Sequence, residues 1–140
     1  MIHNDELRAW AKDAYTTEAA TELLIRAFGG RFASLGKPWV KKEKDTENAW
    51  INFEQIPDRL GGLSGGERRL LLLAASIAEV DFDLVLGDVL PGLDRPVLDL
   101  VLAAVAHAGG SHEHSDLITN TDGTDSIRRL SSLYPWPNEG

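Results

Sequence analysis

The chain contains no cysteine. Disulfide bonds, thiolate zinc sites, iron–sulfur clusters and cysteine nucleophiles are therefore excluded. It also lacks a long apolar run, since the longest one, residues 97–106, is interrupted by Asp99 and a bilayer-spanning helix needs about 20 apolar residues. The first six residues are acidic and lack the apolar stretch of a signal peptide. We therefore expect a soluble, cytoplasmic protein that does not enter a membrane.

Basic residues are also few. Lysine and arginine number 14 against 22 aspartates and glutamates, so the net charge is −8. An acidic surface repels phosphate, which argues against nucleic acid and anionic membranes as partners. The one basic cluster, Lys41–Lys44, lies between Trp39 and Trp50, but acidic neighbours largely neutralise it. A length of 140 residues with 43% hydrophobic residues fits a single domain spanning residues 1–140.

The first half of the sequence predicts one long or broken helix followed by a hairpin. Apolar residues recur every three or four positions over residues 4–28, with Asn4 as a candidate cap and Gly29-Gly30 as the end. Residues 39–54 alternate roughly between polar and apolar around a polar stretch. This alternation predicts a small β-hairpin that turns at residues 45–48.

Two later segments carry stronger helix signals. Ser64 and Glu67 form a capping-box pattern ahead of an apolar series. A further helix is predicted to start at Asp94, with Pro96 in its first turn and Gly109-Gly110 at its end. Residues 97–105 are apolar on nearly every side of the helix axis, which predicts that this helix is central and buried.

The remaining segments leave two fold classes open. Leu84–Leu86 and Leu117–Thr119 are short apolar runs, and Thr124 can cap a last helix with Ile127, Leu130 and Leu133 on its apolar face. We predict a mainly α fold, a single helical domain with a possible small β-hairpin. The alternative is an α/β fold in which the two short runs pair as parallel strands.

One motif resembles a known family. The string Leu63-Ser64-Gly65-Gly66-Glu67, followed by Arg68-Arg69 and an apolar helix, resembles the signature motif of ABC-type and SMC-type ATPases. Residues 84–88 resemble that family's apolar strand ending in a magnesium-binding aspartate, and residues 92–94 its aspartate loop. The resemblance implies that the amides at this helix start would hold the γ-phosphate of ATP bound to an opposite subunit, a role suited to a helix N-terminus. The cofactor-binding residues that it implies are Ser64, Gly65, Gly66 and Glu67.

The sequence departs from this family where catalysis is concerned. Val89 stands at the position of the catalytic glutamate after Asp88, and Asn120 or Thr121 stands at that of the switch histidine. No phosphate loop G-x-x-x-x-G-K-[ST] is present, since the nearest string, residues 30–38, has one residue too many between its glycines and ends in proline. We therefore expect no ATP hydrolysis. Read without ATP, the motif is a helix cap with solvent-facing arginines, a helix start that also resembles those of small proteins from high-GC bacteria.

No other pattern predicts catalysis. No G-x-S-x-G nucleophile elbow occurs. Potential metal ligands are concentrated in one stretch, but alternating histidines in a polar loop are a weak zinc signal, so we assign no native metal, no cofactor and no catalytic residue. The function we expect is that of a non-enzymatic interaction or accessory module whose partner is another protein or a second copy. The alternative is a degenerate ABC/SMC-like component that supplies its signature motif in trans. The potential metal ligands are His107, His112, Glu113, His114 and Asp116.

Overall fold

The computed structural model describes residues 2–45 and 48–137, and it contains five α-helices and two small sheets in that part of the chain. No helix there combines the length and the apolarity that crossing a membrane requires. The fold is thus mainly helical, as predicted, but it holds more β-structure than one hairpin. The helices are α1 (Ile2–Ala11), α2 (Tyr15–Arg26), α3 (Gly65–Ile77), α4 (Leu86–Val89) and α5 (Arg95–Ala108); the strands are β1 (Val40–Lys42), β2 (Ala49–Ile51), β3 (Ser115–Thr119) and β4 (Asp125–Arg129).

The predicted helix over residues 4–28 is broken into α1 and α2. It begins at Ile2 rather than after Asn4. Asp13 adopts a left-handed conformation with φ of 78°, and Ala14 is extended, so the backbone turns between the two helices. The second helix ends at Arg26 and runs into a 3-10 segment, Ala27–Ala33. The glycine pair at 29–30 has positive φ values inside this segment. The α-helix therefore ends two residues before the predicted residue 28, and its C-cap is Ala27 rather than a glycine.

The central helix is α2. Six of its twelve residues are buried, and it packs against α1, α3 and α5. Small residues on α2 let neighbouring helices approach closely, because the distance between helix axes depends on the side chains at the contact. The buried residues of α2 are Ala19, Ala20, Thr21, Leu23, Leu24 and Ile25.

The prediction that the 94–108 helix is central and buried is wrong. Its bounds are as predicted, with Asp94 as the N-cap residue. Its inner face is buried against α2 and α3, but Leu98, Leu102 and Val105 are 36%, 45% and 57% exposed. An apolar sequence on all sides of a helix cannot specify how many neighbours the helix has, and here the neighbours cover only one side.

The predicted hairpin near residues 39–54 is confirmed. β1 and β2 are antiparallel, with Val40 opposite Ile51 and Lys42 opposite Ala49. Thr46 and Glu47, within its predicted turn, lie outside the described residues. The ring of Trp10 on α1 lies 6.2 Å from that of Trp50, so α1 packs on this hairpin.

The predicted C-terminal helix is wrong, because its residues form a second hairpin. β3 and β4 are antiparallel, with Leu117 opposite Ile127. Thr124 caps no helix; it lies in the connecting turn, where Gly123 has a φ of 86° and the Asn120 N–H donates to the Thr124 carbonyl. The parallel pairing of the α/β alternative does not form either, since residues 84–85 lie ahead of α4 and 117–119 pair with β4.

Candidate functional site

The signature-like motif forms the start of α3, as the capping-box pattern predicts. Ser64 Oγ accepts a hydrogen bond from the Glu67 N–H at 3.3 Å, and Glu67 Oε1 accepts one from the Ser64 N–H at 2.9 Å. The Glu67 carboxylate also forms an ion pair with Arg31. Glu67 is therefore engaged in holding the helix start in place.

Arg69 does not face solvent freely, contrary to expectation. It is half-buried and lies over two glycines. A Cβ atom at Gly65 would come 2.9 Å from Arg69 Nη1, and one at Gly92 would come 2.5 Å from Arg69 Cζ. The guanidinium group thus occupies the space that side chains at both glycines would need, and it joins the start of α3 to the 90–92 turn.

The other elements expected from the ATPase resemblance take different forms. Asp88 lies in the short helix α4 instead of at the end of a strand. Asn120 lies in the β3–β4 turn, where its side-chain amide donates to Thr124 Oγ1. Within residues 2–45 and 48–137, strands pair only as antiparallel hairpins.

The structure separates the potential metal ligands of residues 107–116. Glu113 forms an ion pair with Arg129, and Asp116 lies 3.7 Å from Arg128. His114 is exposed. Only His107 and His112 come together, with parallel rings whose centroids are 4.0 Å apart and whose planes differ by 13°.

A carboxylate distant in sequence completes this pair. Glu18 Oε1 lies 3.0 Å from His107 Nε2, and Glu18 Oε2 accepts a hydrogen bond from the Asp13 N–H. One ligand atom each of Glu18, His107 and His112 lies within 4.8 Å of the others. Glu18 is in the first turn of α2 and His107 in the last turn of α5, positions where the helix dipoles favour an acid and a base. Sequence reasoning missed Glu18 because nothing in its local pattern connects it to a residue 89 positions away.

A cavity of about 270 Å³ adjoins Glu18 and His107. Its wall includes Thr21, whose Oγ1 is buried without a hydrogen-bond partner among the described residues. Trp136 forms another side, with its ring 6.2 Å from that of His107. The cavity therefore combines apolar surface with several polar and charged side chains.

Glu22, which also lines this cavity, forms ion pairs with two arginines. Its carboxylate accepts hydrogen bonds from Arg8 at 2.9 and 3.1 Å and from Arg26 at 2.8 Å. Burial raises the pKa of Glu22, but the hydrogen bonds and charges of the two arginines outweigh burial and hold the pKa below its usual value of 4.5. The ionised carboxylate thus ties α1 to α2 beside the cavity.

The outer face of α5 forms an uncovered apolar surface. Leu98, Leu102 and Val105 lie on one side of the helix at spacings of four and three residues; we call them the α5 stripe. A groove of about 420 Å³ runs beside its first turns and is closed on one side by Tyr134, whose hydroxyl donates to Asp99. The sequence predicted that these residues are buried in the core. Because they are exposed, they form a candidate contact surface instead.

The β3–β4 ribbon is a second exposed element. Every residue of both strands is exposed except Ile118, which is half-buried. The cross-strand pair Leu117 and Ile127 is 66% and 75% exposed. An isolated two-stranded ribbon is only marginally stable in water, so this ribbon is suited to being covered by another surface.

The basic cluster provides little for nucleic acid. Trp39 is buried, with its Nε1–H donating to the Phe32 carbonyl at 2.8 Å, so its face is not available for stacking on a base. Trp50 is half-buried beside Trp10. Of the four tryptophans, Trp10 is the most exposed, at 40%.

Similarity to known proteins does not add to these observations: no protein-family model, curated protein sequence or solved structure matches this chain.

Proposed function

We propose that this chain is a non-enzymatic interaction module of the cytoplasm that associates with a second copy of itself through the α5 stripe. The observation that carries the proposal is the exposure of three large apolar side chains, Leu98, Leu102 and Val105, on one side of a helix. Contiguous exposed apolar surface on a soluble chain marks a contact site more often than a free surface.

The spacing of the stripe suits a copy of itself. Leu102 lies four residues after Leu98 and three residues before Val105. If two α5 helices pack antiparallel about a two-fold axis at Leu102, the two Leu102 side chains meet, and each Leu98 meets the Val105 of the second copy. A two-fold contact requires such self-complementarity, because the same patch is used on both sides.

One local charge, that of Arg95, favours the same arrangement. Arg95 is exposed one turn before Leu98. In the antiparallel pair it approaches the C-terminal end of the second copy's α5, where the helix dipole favours a cation. Each copy carries a net charge of −8, so the copies repel at long range and the uncharged stripe must provide the attraction. We therefore expect added salt to strengthen the association by screening this repulsion.

The oligomeric state of the purified chain over a range of protein concentrations tests this proposal. We expect light scattering after size-exclusion chromatography to show a dimer that persists at high salt. Leu102→Asp should give a monomer, because the pair would bury two carboxylates against each other. The matched control is Leu35→Asp, which adds the same charge at an apolar residue that is 50% exposed elsewhere.

A cross-linking experiment tests the geometry. Because the chain contains no cysteine, Leu102→Cys introduces a single thiol on the proposed two-fold axis. We expect mild oxidation to link two copies rapidly through Leu102→Cys and slowly through Leu35→Cys. A parent chain that stays monomeric at all concentrations, or two aspartate variants that behave alike, would contradict the proposal.

The alternative function is to supply the Ser64–Glu67 motif in trans to a partner ATPase. One observation favours it: Ser64 and Gly65 are exposed at the N-terminus of α3, a helix of 13 residues. Under both functions the purified chain should not hydrolyse ATP in the presence of magnesium. Turnover that survives repurification and is lost in Asp88→Ala would contradict both.

A further inference from the structure

We propose that Glu18, His107 and His112 bind one divalent transition-metal ion, for which Zn²⁺ is the best fit. This site is independent of the proposed self-association. It departs from the sequence-based expectation, which assigned no native metal and did not connect Glu18 with the histidines.

The donor set selects the class of metal. Two imidazoles and one carboxylate are ligands typical of Zn²⁺ and of neighbouring first-row ions. Ca²⁺ and Mg²⁺ prefer oxygen ligands throughout. Three protein ligands leave the fourth position of a tetrahedral ion for water, and the cavity beside Glu18 and His107 has room for one.

The ligand atoms already lie close together. A tetrahedral Zn²⁺ lies about 2.0–2.1 Å from each ligand atom, which places the ligand atoms about 3.4 Å apart. Glu18 Oε1 and His107 Nε2 are 3.0 Å apart. The three ligand atoms lie within 4.8 Å of one another, and the His107 and His112 rings are nearly parallel, so at least one imidazole must turn for both ring nitrogens to point at a single ion.

The orphaned ring nitrogen of His112 is an independent observation that favours a ligand. His112 Nδ1 is buried and has no hydrogen-bond partner among the described residues. Buried polar atoms are almost always paired, and the other ring nitrogen of a metal-bound histidine usually takes a partner as well. A bound ion, or a water molecule that the ion holds in the cavity, would give His112 Nδ1 the partner that it lacks.

The backbone around His112 holds its ring over that of His107. Gly110 has a φ of 77°, and a Cβ atom there would lie 2.8 Å from Tyr15 Cε2. The Tyr15 and His112 rings make an edge-to-face contact, with centroids 5.0 Å apart. The turn after α5 can therefore fold back tightly only because residue 110 has no side chain, and this fold brings His112 to the first turn of α2.

Zinc titration of the untagged chain, after treatment with a chelator, tests the site. We expect calorimetry to show saturable binding of one Zn²⁺ per chain, with no competition from an excess of Mg²⁺ or Ca²⁺. Co²⁺ in its place should give the visible absorption of a tetrahedral site. Zn²⁺ should also raise the midpoint of thermal unfolding, because an ion that binds only the folded state stabilises that state.

Three variants distinguish this site from casual binding by surface histidines. Glu18→Gln preserves the shape of the side chain and removes its charge, and His112→Ala removes one imidazole. Each should weaken Zn²⁺ binding by at least about tenfold, the lower end of the loss caused by removing even an outer partner of a ligand. His114→Ala is the matched control, since His114 lies in the same segment but is exposed, and it should bind Zn²⁺ as the parent does.

Several results would overturn the proposal. They are the absence of saturable binding, an effect of His114→Ala as large as that of His112→Ala, and unchanged binding in Glu18→Gln. If His112→Ala does not fold, the Zn²⁺ affinity of Glu18→Gln alone tests the proposal. Leu102→Asp should bind Zn²⁺ normally, so failure of the self-association leaves this test intact.

Discussion

The exposure of α5 makes a quantitative prediction for Leu98→Ala. The sequence alone places Leu98 in a buried helix, for which truncation to alanine costs about 2–5 kcal/mol because a cavity remains. In the structure Leu98 is 36% exposed. The substitution removes three carbon groups, each worth about 0.8 kcal/mol when fully buried. With about two thirds of the side chain buried, we expect a loss of about 1.5 kcal/mol, without a cavity term because solvent fills the space.

Leu70→Ala is the matched comparison. Leu70 lies on α3 and is 0% exposed, so its truncation should cost the full ~2–5 kcal/mol. Val101, three residues after Leu98 but 3% exposed, lies on the buried side of α5. We expect Val101→Asp to prevent folding, because a buried unpaired charge loses its solvation.

Urea unfolding measures these differences, provided that the variants share a common slope. The protein must be dilute, because association with a second copy would add stability to the folded state and hide the monomer's own value. If Leu98→Ala costs as much as Leu70→Ala in dilute protein, the outer face of α5 is covered within the monomer. Folding of Val101→Asp with near-parental stability would likewise refute the assignment of the faces.

Two further predictions concern single side chains. Ser64→Ala should destabilise the chain by about 1 kcal/mol in urea melts through loss of the acceptor for the Glu67 N–H; unchanged stability would show that the capping bond contributes nothing in solution. Glu22→Gln should be less stable than the parent at pH 7, because the pKa of Glu22 is lower in the folded chain than its usual value of 4.5. A lowered folded-state pKa gives stability that is present above pH 4.5 and is lost as the pH falls through the folded value. The difference between parent and Glu22→Gln should therefore shrink on acidification, and a difference that grows below pH 4.5 would contradict the ion-pair assignment.

Local signals in the sequence determined several elements correctly. The capping box fixes the start of α3 at Ser64, since both of its hydrogen bonds join residues three apart. Asp94 and Pro96 mark the start of α5 and Gly109 its end, although the Asp94 side chain makes no capping hydrogen bond. The hairpin near residues 39–54 also follows from its alternation of polar and apolar residues. In each case the residues that define the element are close in sequence, so the local sequence pattern is enough to predict where the element begins and ends.

The second hairpin shows where local patterns mislead. Ile127 and Leu130 have the spacing of a helical face, and Thr124 is a good helix cap. The turn centred on Gly123 instead brings Ile127 opposite Leu117, and the backbone pairs across the two strands. Helical and extended states compete closely in so short a segment, and the turn geometry decided between them.

Tertiary packing alone decided which helix is central and which side chains form the candidate site. The apolar residues of α5 could have been covered on all sides, but α5 packs against α2 and α3 on one side only, and Leu102 is 45% exposed. Glu18 meets His107 only because α2 and α5 pack together. The sequence by itself determined the bounds of α3 and α5 and the first hairpin. Which face of a helix is buried, and which residues distant in sequence come into contact, depend on how whole elements pack. The spacing of residues within one element does not contain this information.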